Sequence, residues 1–256
     1  MIPLTDTIKP RSRPIVNYLL MIVCGIVFLL QLEDPLTPSA GMIERYGMIP
    51  FRVLHPETDL PMTTPLGTPV PGLNDRTPDS SFPAILTLVT CIFLHGGWLH
   101  FLGNMLFLHV FGDNVEDCFG HLGYLLFYVG TGLLAGIAHL MSMPNSIIPT
   151  IGASGAIAGI MGGYFVLYPH SRIYTLIPAF VVFFTVLLPA QVFLGIWILF
   201  QLVQGSFTAG GAEASGVAWW AHIGGFMAGY LITKVLLQSG VIRQPIPEVR
   251  YGRYES

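Results

Sequence analysis

The 256-residue chain is 53% hydrophobic and only 10% charged, with a formal net charge of −3 and a mean hydropathy of +0.67. A soluble domain carries roughly a quarter charged residues, so this composition excludes a surface that mostly faces water. The mild acidity gives no footprint for a nucleic-acid partner, and Cys24, Cys91 and Cys118 show neither metal-ligand spacing nor even pairing.

The apolar residues form runs long enough to cross a hydrocarbon core of about 30 Å, which takes ~20 helical residues. Residues 1–14, with Lys9, Arg11 and Arg13, read as a cytoplasmic tail. The run Ile15–Leu32 resembles a signal sequence. However, Gln31-Leu32-Glu33-Asp34-Pro35 offers no small-residue cleavage site, which predicts an uncleaved first transmembrane helix. Residues 33–83 hold ten of the 20 prolines, too many for a helix that loses ~3 kcal/mol at each. This is a long outer loop, with an interfacial helix expected over Gly41–Leu54.

A second helix is predicted over about Ala84–Phe111 and a third over Leu122–Met141, with an acidic loop at Asp113–Asp117 between them. The fourth begins near Gly152 and ends at Tyr168, before Pro169. The stretch Ile173–Val203 is too long for one span and contains Pro178 and Pro189. It predicts a fifth helix over about Pro189–Val203, with Ile173–Phe183 lying along the membrane face. The sixth is Val217–Leu237, and 239–256 is a second cytoplasmic tail. The expected fold is an all-α, polytopic bundle of six transmembrane helices over 15–238. Eight of the 11 cationic residues fall in segments placed inside by this topology, so both termini are expected in the cytoplasm. No internal repeat supports a transporter built from inverted halves.

Polar groups at membrane depth are costly and usually functional, and three clusters stand out. Ser154, in Gly152-Ala153-Ser154-Gly155, is expected to cap the fourth helix. There, helix amides and the positive dipole end could stabilise a developing negative charge. The competing reading is a packing ridge of Gly152, Gly155, Gly159 and Gly163. His222, in Ala221-His222-Ile223-Gly224-Gly225, could take a proton near neutral pH. Gly225 and Gly229 would let its helix approach the Ser154 ridge; a packing role for the histidine is equally open. His95, His100 and Asn104 open the second helix, with His100 and Asn104 on one face at i, i+4. A metal site there lacks a third ligand and the H-E-x-x-H pattern of zinc proteases.

These three clusters, in this order and on these helices, resemble those of rhomboid proteases, and the resemblance runs from the first helix to Lys234. It implies a catalytic dyad without an acidic member: Ser154 as nucleophile and His222 as general base. His100, Asn104 and the Ser154 amide would form the oxyanion hole, and His95 would support the loop above the site. Gly152, Gly155 and Gly225 would be supporting residues, and Glu116, in Phe111–Asp117, would match a structural glutamate. Two departures stand out. Many relatives carry an aromatic residue four positions after the serine, where this chain has Ala158, so Trp219 or Trp220 is expected to orient His222. The outer loop also lacks the Trp-Arg pair of some bacterial members.

The expected function is intramembrane serine endopeptidase, cleaving single-pass or polytopic membrane proteins, in contact with lipid and without cofactor, metal or nucleic acid. A bacterial plasma membrane is the expected location. The alternatives are a catalytically inactive rhomboid-like protein that binds or retains membrane clients, and a transporter using the histidines as a polar path.

Overall fold

A computed structural model describes residues 1–58, 82–179, 182–208, 217–245 and 248–249. The core of the expected outer loop, residues 59–81, therefore lies outside the described residues, as does half of the C-terminal tail.

Its first long helix, α1 (Ile15–Gln31), has reversed amphipathicity. Asn17 and Gln31 are buried with Leu20, Cys24 and Phe28, while Leu19, Ile22, Ile26, Leu29 and Leu30 face outward. Polar groups turned inward and aliphatic groups outward are the pattern of a helix in lipid. The chain is an integral membrane protein.

The outer loop forms two short helices, α2 (Ala40–Tyr46) and α3 (Pro50–Leu54), in place of one interfacial helix. Two features tie it to the segment before Ser154. Met48 and Thr150 exchange backbone hydrogen bonds of 3.0 and 2.8 Å, and Phe51 N–H donates to Ser146 O at 2.9 Å.

The second predicted helix is not continuous from 84. Residues 84–93 form 3₁₀ turns around the short α4 (Thr87–Thr90). An extended link then follows, with Gly97 at φ 151°. The next helix, α5 (Trp98–Ser142), is two helices joined at Gly120, whose φ of 69° interrupts the helical path. Glycine adopts that conformation without a Cβ penalty. The expected acidic loop at 113–117 is therefore helical. The side chain of Glu116 is buried, so it turns into the bundle rather than toward water.

Next come α6 (Ser154–Leu167), α7 (Ala190–Thr208) and α8 (Trp219–Gln238). At 1.5 Å per residue, the 14 residues of α6 extend about 21 Å, short of a ~30 Å core. It is the central helix: nearly every residue after Ser154 is buried. Glycines set its contact with α8. A Cβ on Gly225 would overlap the Gly155 carbonyl, and one on Gly229 would overlap that of Gly159. Among the described residues, Trp98–Ser142, Ala190–Phe207 and Trp219–Gln238 are long and apolar enough to cross a membrane. Ile15–Gln31 and Ser154–Leu167 are shorter apolar helices.

The all-α expectation requires a correction. Residues expected along the membrane face form an antiparallel hairpin, β3 (Arg172–Ala179) with β4 (Val182–Pro189). Ile, Val, Thr, Tyr and Phe dominate this stretch, and their branched or aromatic side chains favour the pleated strand. The expected N-terminal tail supplies β1 (Ile2–Asp6), giving the sheet order β1-β3-β4. Two residues each from β2 (Ile8–Lys9) and β5 (Glu248–Val249) make a second small pairing. Asp6 anchors the first strand, accepting from Tyr164 Oη at 2.5 Å and Asn114 Nδ2 at 2.8 Å. The three-stranded sheet lies at the end of α6 opposite Ser154.

Candidate active site

Four helices, α5 to α8, converge on one cavity of about 480 Å³, lined among others by Ser154, His222, His100, Asn104, Gly152 and Trp197. Each polar group reaches it for a local reason.

Ser154 is the first residue of α6, but it does not cap the helix as expected. The N-cap is Ala153, with no side-chain cap bond. The hydroxyl is thereby left to bond elsewhere: Oγ lies 2.7 Å from Nε2 of His222. The tight glycine contact between α6 and α8 makes that reach possible, because two backbones nearly touch below the pair. Gly155 sits against Ala135 and Ala221, where an added Cβ would come 2.7 Å from Ala135 Cβ.

His100 and Asn104 share one face of α5. The Gly96 N–H donates to His100 Nδ1 at 3.3 Å, so in a neutral ring Nε2 carries the proton. That nitrogen lies over Gly152, where an added Cβ would come within 2.7 Å of it. Gly152 has φ 122°, so both its conformation and its missing side chain admit the ring. Asn104 is 7% exposed, and its Nδ2 has no hydrogen-bond partner among the described residues. A buried donor without an acceptor costs about 1–3 kcal/mol, and such exceptions concentrate at functional sites. His100, the unpartnered Asn104 Nδ2–H and the first residues of α6 thus line the same cavity.

His95 is fully buried and lies in the link before α5. Its backbone is clamped to Gln31 of α1 by bonds of 3.0 and 2.9 Å. Its ring meets that of His100 edge-on at 5.4 Å and that of Phe101 at 5.3 Å. It buttresses His100 rather than lining the cavity.

Two residues absent from the sequence reading also touch the site. Gln201 Oε1 lies 2.7 Å from Nδ1 of His222, and Trp197 stands 5.7 Å from the imidazole at 40°. Of the two expected tryptophans, Trp219 meets the ring edge-on at 6.3 Å, whereas Trp220 lines a second cavity of about 300 Å³ with His139, Ser146 and His100. The available signal was Gln201 itself, an amide inside an apolar helix four residues from a tryptophan.

Among the described residues, no group of three His, Cys, Asp or Glu side chains could hold a metal ion. Chemically, the cavity joins a hydroxyl, a hydrogen-bonded imidazole and a cluster of oriented N–H donors, the set that acyl transfer uses.

Comparison with known proteins places the chain in a family. A family model described as the Rhomboid domain matches residues 83–239. Similar curated proteins include RHOMBOID-like protein 4 of Arabidopsis thaliana, 34% identical over 151 residues, covering 59% of this chain and 34% of that protein. Rhomboid-like protein 11, chloroplastic, of the same plant is 38% identical over 80 residues, covering 31% of this chain and 28% of its own length. A Bacillus subtilis protein that carries the provisional name of a rhomboid protease is 36% identical over 77 residues, covering 30% of this chain and 38% of its own. The chain spans no more than about 38% of the length of these relatives. Plant relatives named chloroplastic and mitochondrial leave the expected bacterial plasma membrane unsupported. With more than half of its length matched by the family model, and with apolar helices surrounding this cavity, the chain belongs to the rhomboid family.

Proposed function

We propose that the chain is an intramembrane serine endopeptidase, with Ser154 as nucleophile and His222 as general base. The observation carrying this reading is the 2.7 Å contact between Ser154 Oγ and His222 Nε2, inside the cavity that also holds the His100 and Asn104 donors. In the reaction, Oγ attacks the scissile carbonyl while Nε2 takes the hydroxyl proton. The carbonyl oxygen becomes an oxyanion among the Ser154 amide, His100 Nε2–H and Asn104 Nδ2–H. His222 then returns the proton to the leaving amine, and water hydrolyses the acyl-enzyme by the same two steps.

The substrates on this reading are membrane proteins whose helix unwinds locally, because a helical backbone has its carbonyls tied up in hydrogen bonds. The six main apolar helices, counting both halves of α5, are taken as six spans with both termini cytoplasmic and Ser154 recessed from the outer surface. The short α6 supports that recess.

Fluorophosphonate labelling of the detergent-purified protein tests the assignment. The wild type is expected to be labelled and to cleave a single-span substrate. Ser154→Ala is expected to lose both with little change in melting, because one oxygen is deleted. His222→Ala is expected to lose both because an unactivated hydroxyl is a poor nucleophile. Proteolysis retained in Ser154→Ala would sink the assignment. A folded wild type that is neither labelled nor active would favour an inactive family member that binds membrane clients.

A further inference from the structure

We propose that Gln201 is the positioning residue of this site, its amide oxygen holding the His222 imidazole in the tautomer that leaves Nε2 open to the Ser154 proton. The inference rests on the dyad reading above, and it assigns a task that Ser154 and His222 cannot perform for each other.

A neutral imidazole has one N–H and one acceptor nitrogen, and which is which depends on its partners. Both ring nitrogens of His222 are engaged: Nδ1 with Gln201 Oε1 and Nε2 with Ser154 Oγ, each at 2.7 Å. The contact with serine alone is ambiguous, because a hydroxyl can donate or accept. The contact with Gln201 resolves it. Gln201 Nε2 lies 3.3 Å from the carbonyl oxygen of Trp197, one turn earlier in α7. A carbonyl only accepts, so the amide nitrogen faces Trp197 and the amide oxygen faces His222. An amide oxygen also only accepts, so Nδ1 must carry the ring proton. Nε2 is then the acceptor, and Ser154 must donate to it. The chain Trp197 C=O, Gln201, His222, Ser154 has one consistent set of donors, and it ends on a serine prepared to lose its proton.

The placement of Gln201 fits this task. It is 3% exposed, and an amide buried in an apolar helix is costly unless both ends are bonded. It lies on the buried face of α7 with Phe193, Leu194 and Trp197, while Val192, Ile196, Leu199 and Phe200 face outward. The position four residues after Ser154 is the buried Ala158, so α6 supplies no ring to hold the imidazole. In its place, α7 supplies a ring and an acceptor four residues apart: Trp197 limits tilting of the imidazole and Gln201 limits its rotation. A neutral amide adds no charge beside the imidazolium, so its contribution is orientation and tautomer, unlike that of the aspartate in a Ser-His-Asp triad.

The experiment uses the full chain in detergent, with Ser154→Ala as the unlabelled control. Gln201→Leu is expected to lower kcat about 10- to 100-fold, by analogy with the cost of losing a partner that orients a metal-bound histidine, with KM and melting nearly unchanged. Gln201→Glu keeps an acceptor within reach and is expected to recover most of that kcat. It should also move the acid limb of the kcat profile to higher pH, because a carboxylate stabilises the imidazolium. His100 and His139 are the other titratable groups acting on His222, and both are unchanged in these variants.

Independently of turnover, ¹⁵N NMR of histidine-labelled wild type is expected to show the His222 proton on Nδ1, and Gln201→Leu a mixture of tautomers. A wild-type proton on Nε2, or a Gln201→Leu variant with wild-type kcat and pH profile, would overturn the proposal. So would a variant that only melts lower while its tautomer and profile stay put. Should Gln201→Leu not fold, Gln201→Glu and the wild-type spectrum decide. Failure of the dyad reading looks different: the wild type itself is neither labelled nor active.

Discussion

Asn104 separates a catalytic from a packing role most cleanly among single residues. Its Nδ2 is buried without a partner among the described residues, so removing it deletes none of their hydrogen bonds. Asn104→Ala is therefore expected to leave melting nearly unchanged. If Nδ2 donates to the oxyanion, kcat should fall about 10²- to 10³-fold, the cost of losing one such donor. KM should move little, because the donor matters once negative charge has developed. Steady-state kinetics and detergent melting on one preparation check both, and a destabilised variant with wild-type kcat would remove Asn104 from the site. His100 offers no comparable separation, because Gly96, Gly152 and His95 all pack on it and its removal leaves a hole as well as a missing donor.

At the level of elements, a buried carboxylate in the middle of α5 ties that helix to the start of α1. Glu116 is fully buried, and its carboxylate accepts from the Val16 and Asn17 amides at 2.9 and 2.7 Å. These amides open α1, which has Pro14 at its N-cap and no side-chain cap of its own. The glutamate thus caps a helix 100 residues away and places negative charge at its positive dipole end. His121, just beyond the Gly120 break, holds the same carboxylate at 2.5 Å. Glu116→Ala leaves these donors unmatched in a buried place and is expected to lower unfolding stability by about 3 kcal/mol. Denaturant titration of the purified protein measures the loss. The distance from this cap to Ser154 predicts that the surviving folded fraction is labelled by fluorophosphonate at the wild-type rate. A slowed rate would instead connect the cap to the site.

For the whole molecule, the open question is which end faces the cytoplasm, and charge placement answers it with a testable orientation. With Lys9, Arg11, Arg13, Arg172, Lys234 and Arg243 at one end, that end is expected inside. A cysteine at the exposed Glu57 should react with an impermeant thiol reagent in intact cells. One at the exposed Ser239 should react only after permeabilisation. Cys24 and Cys91 are buried, and the half-buried Cys118 is replaced by Ala in both variants to remove its background. The opposite result would invert the topology and move Ser154 to the inner side. The sheet gives this end a second role, since β1 carries Asp6 into contact with Tyr164 and Asn114. The first residues are thus part of the fold rather than a tail.

How much was legible in the sequence depended on the range of the forces involved. Hydropathy and glycine spacing act over one or a few turns, so they sufficed for the membrane class, the approximate helices and the proximity of the Ser154 and His222 ridges. Strand pairing joins β1 to β3 across some 170 residues, and no local pattern marks Ile2–Asp6 as the partner of 173–176. The second helix was read as continuous because apolar content from 84 to 111 is uniform. What interrupts it is the extended link that ends at Gly97, a backbone conformation that hydropathy does not record. Ser154 was read as a cap because serine favours that position, but its hydroxyl bonds His222 instead, a partner that only the packing of α8 supplies. Gln201 was invisible for the same reason: one amide among apolar residues has no evident function until α7 packs against α8 and a histidine nitrogen lies 2.7 Å away. The sequence by itself determined the solvent the protein lives in and the chemical groups it owns. Tertiary structure alone decided which of those groups meet, because a hydrogen bond needs contact within about 3 Å, and helix packing sets that distance.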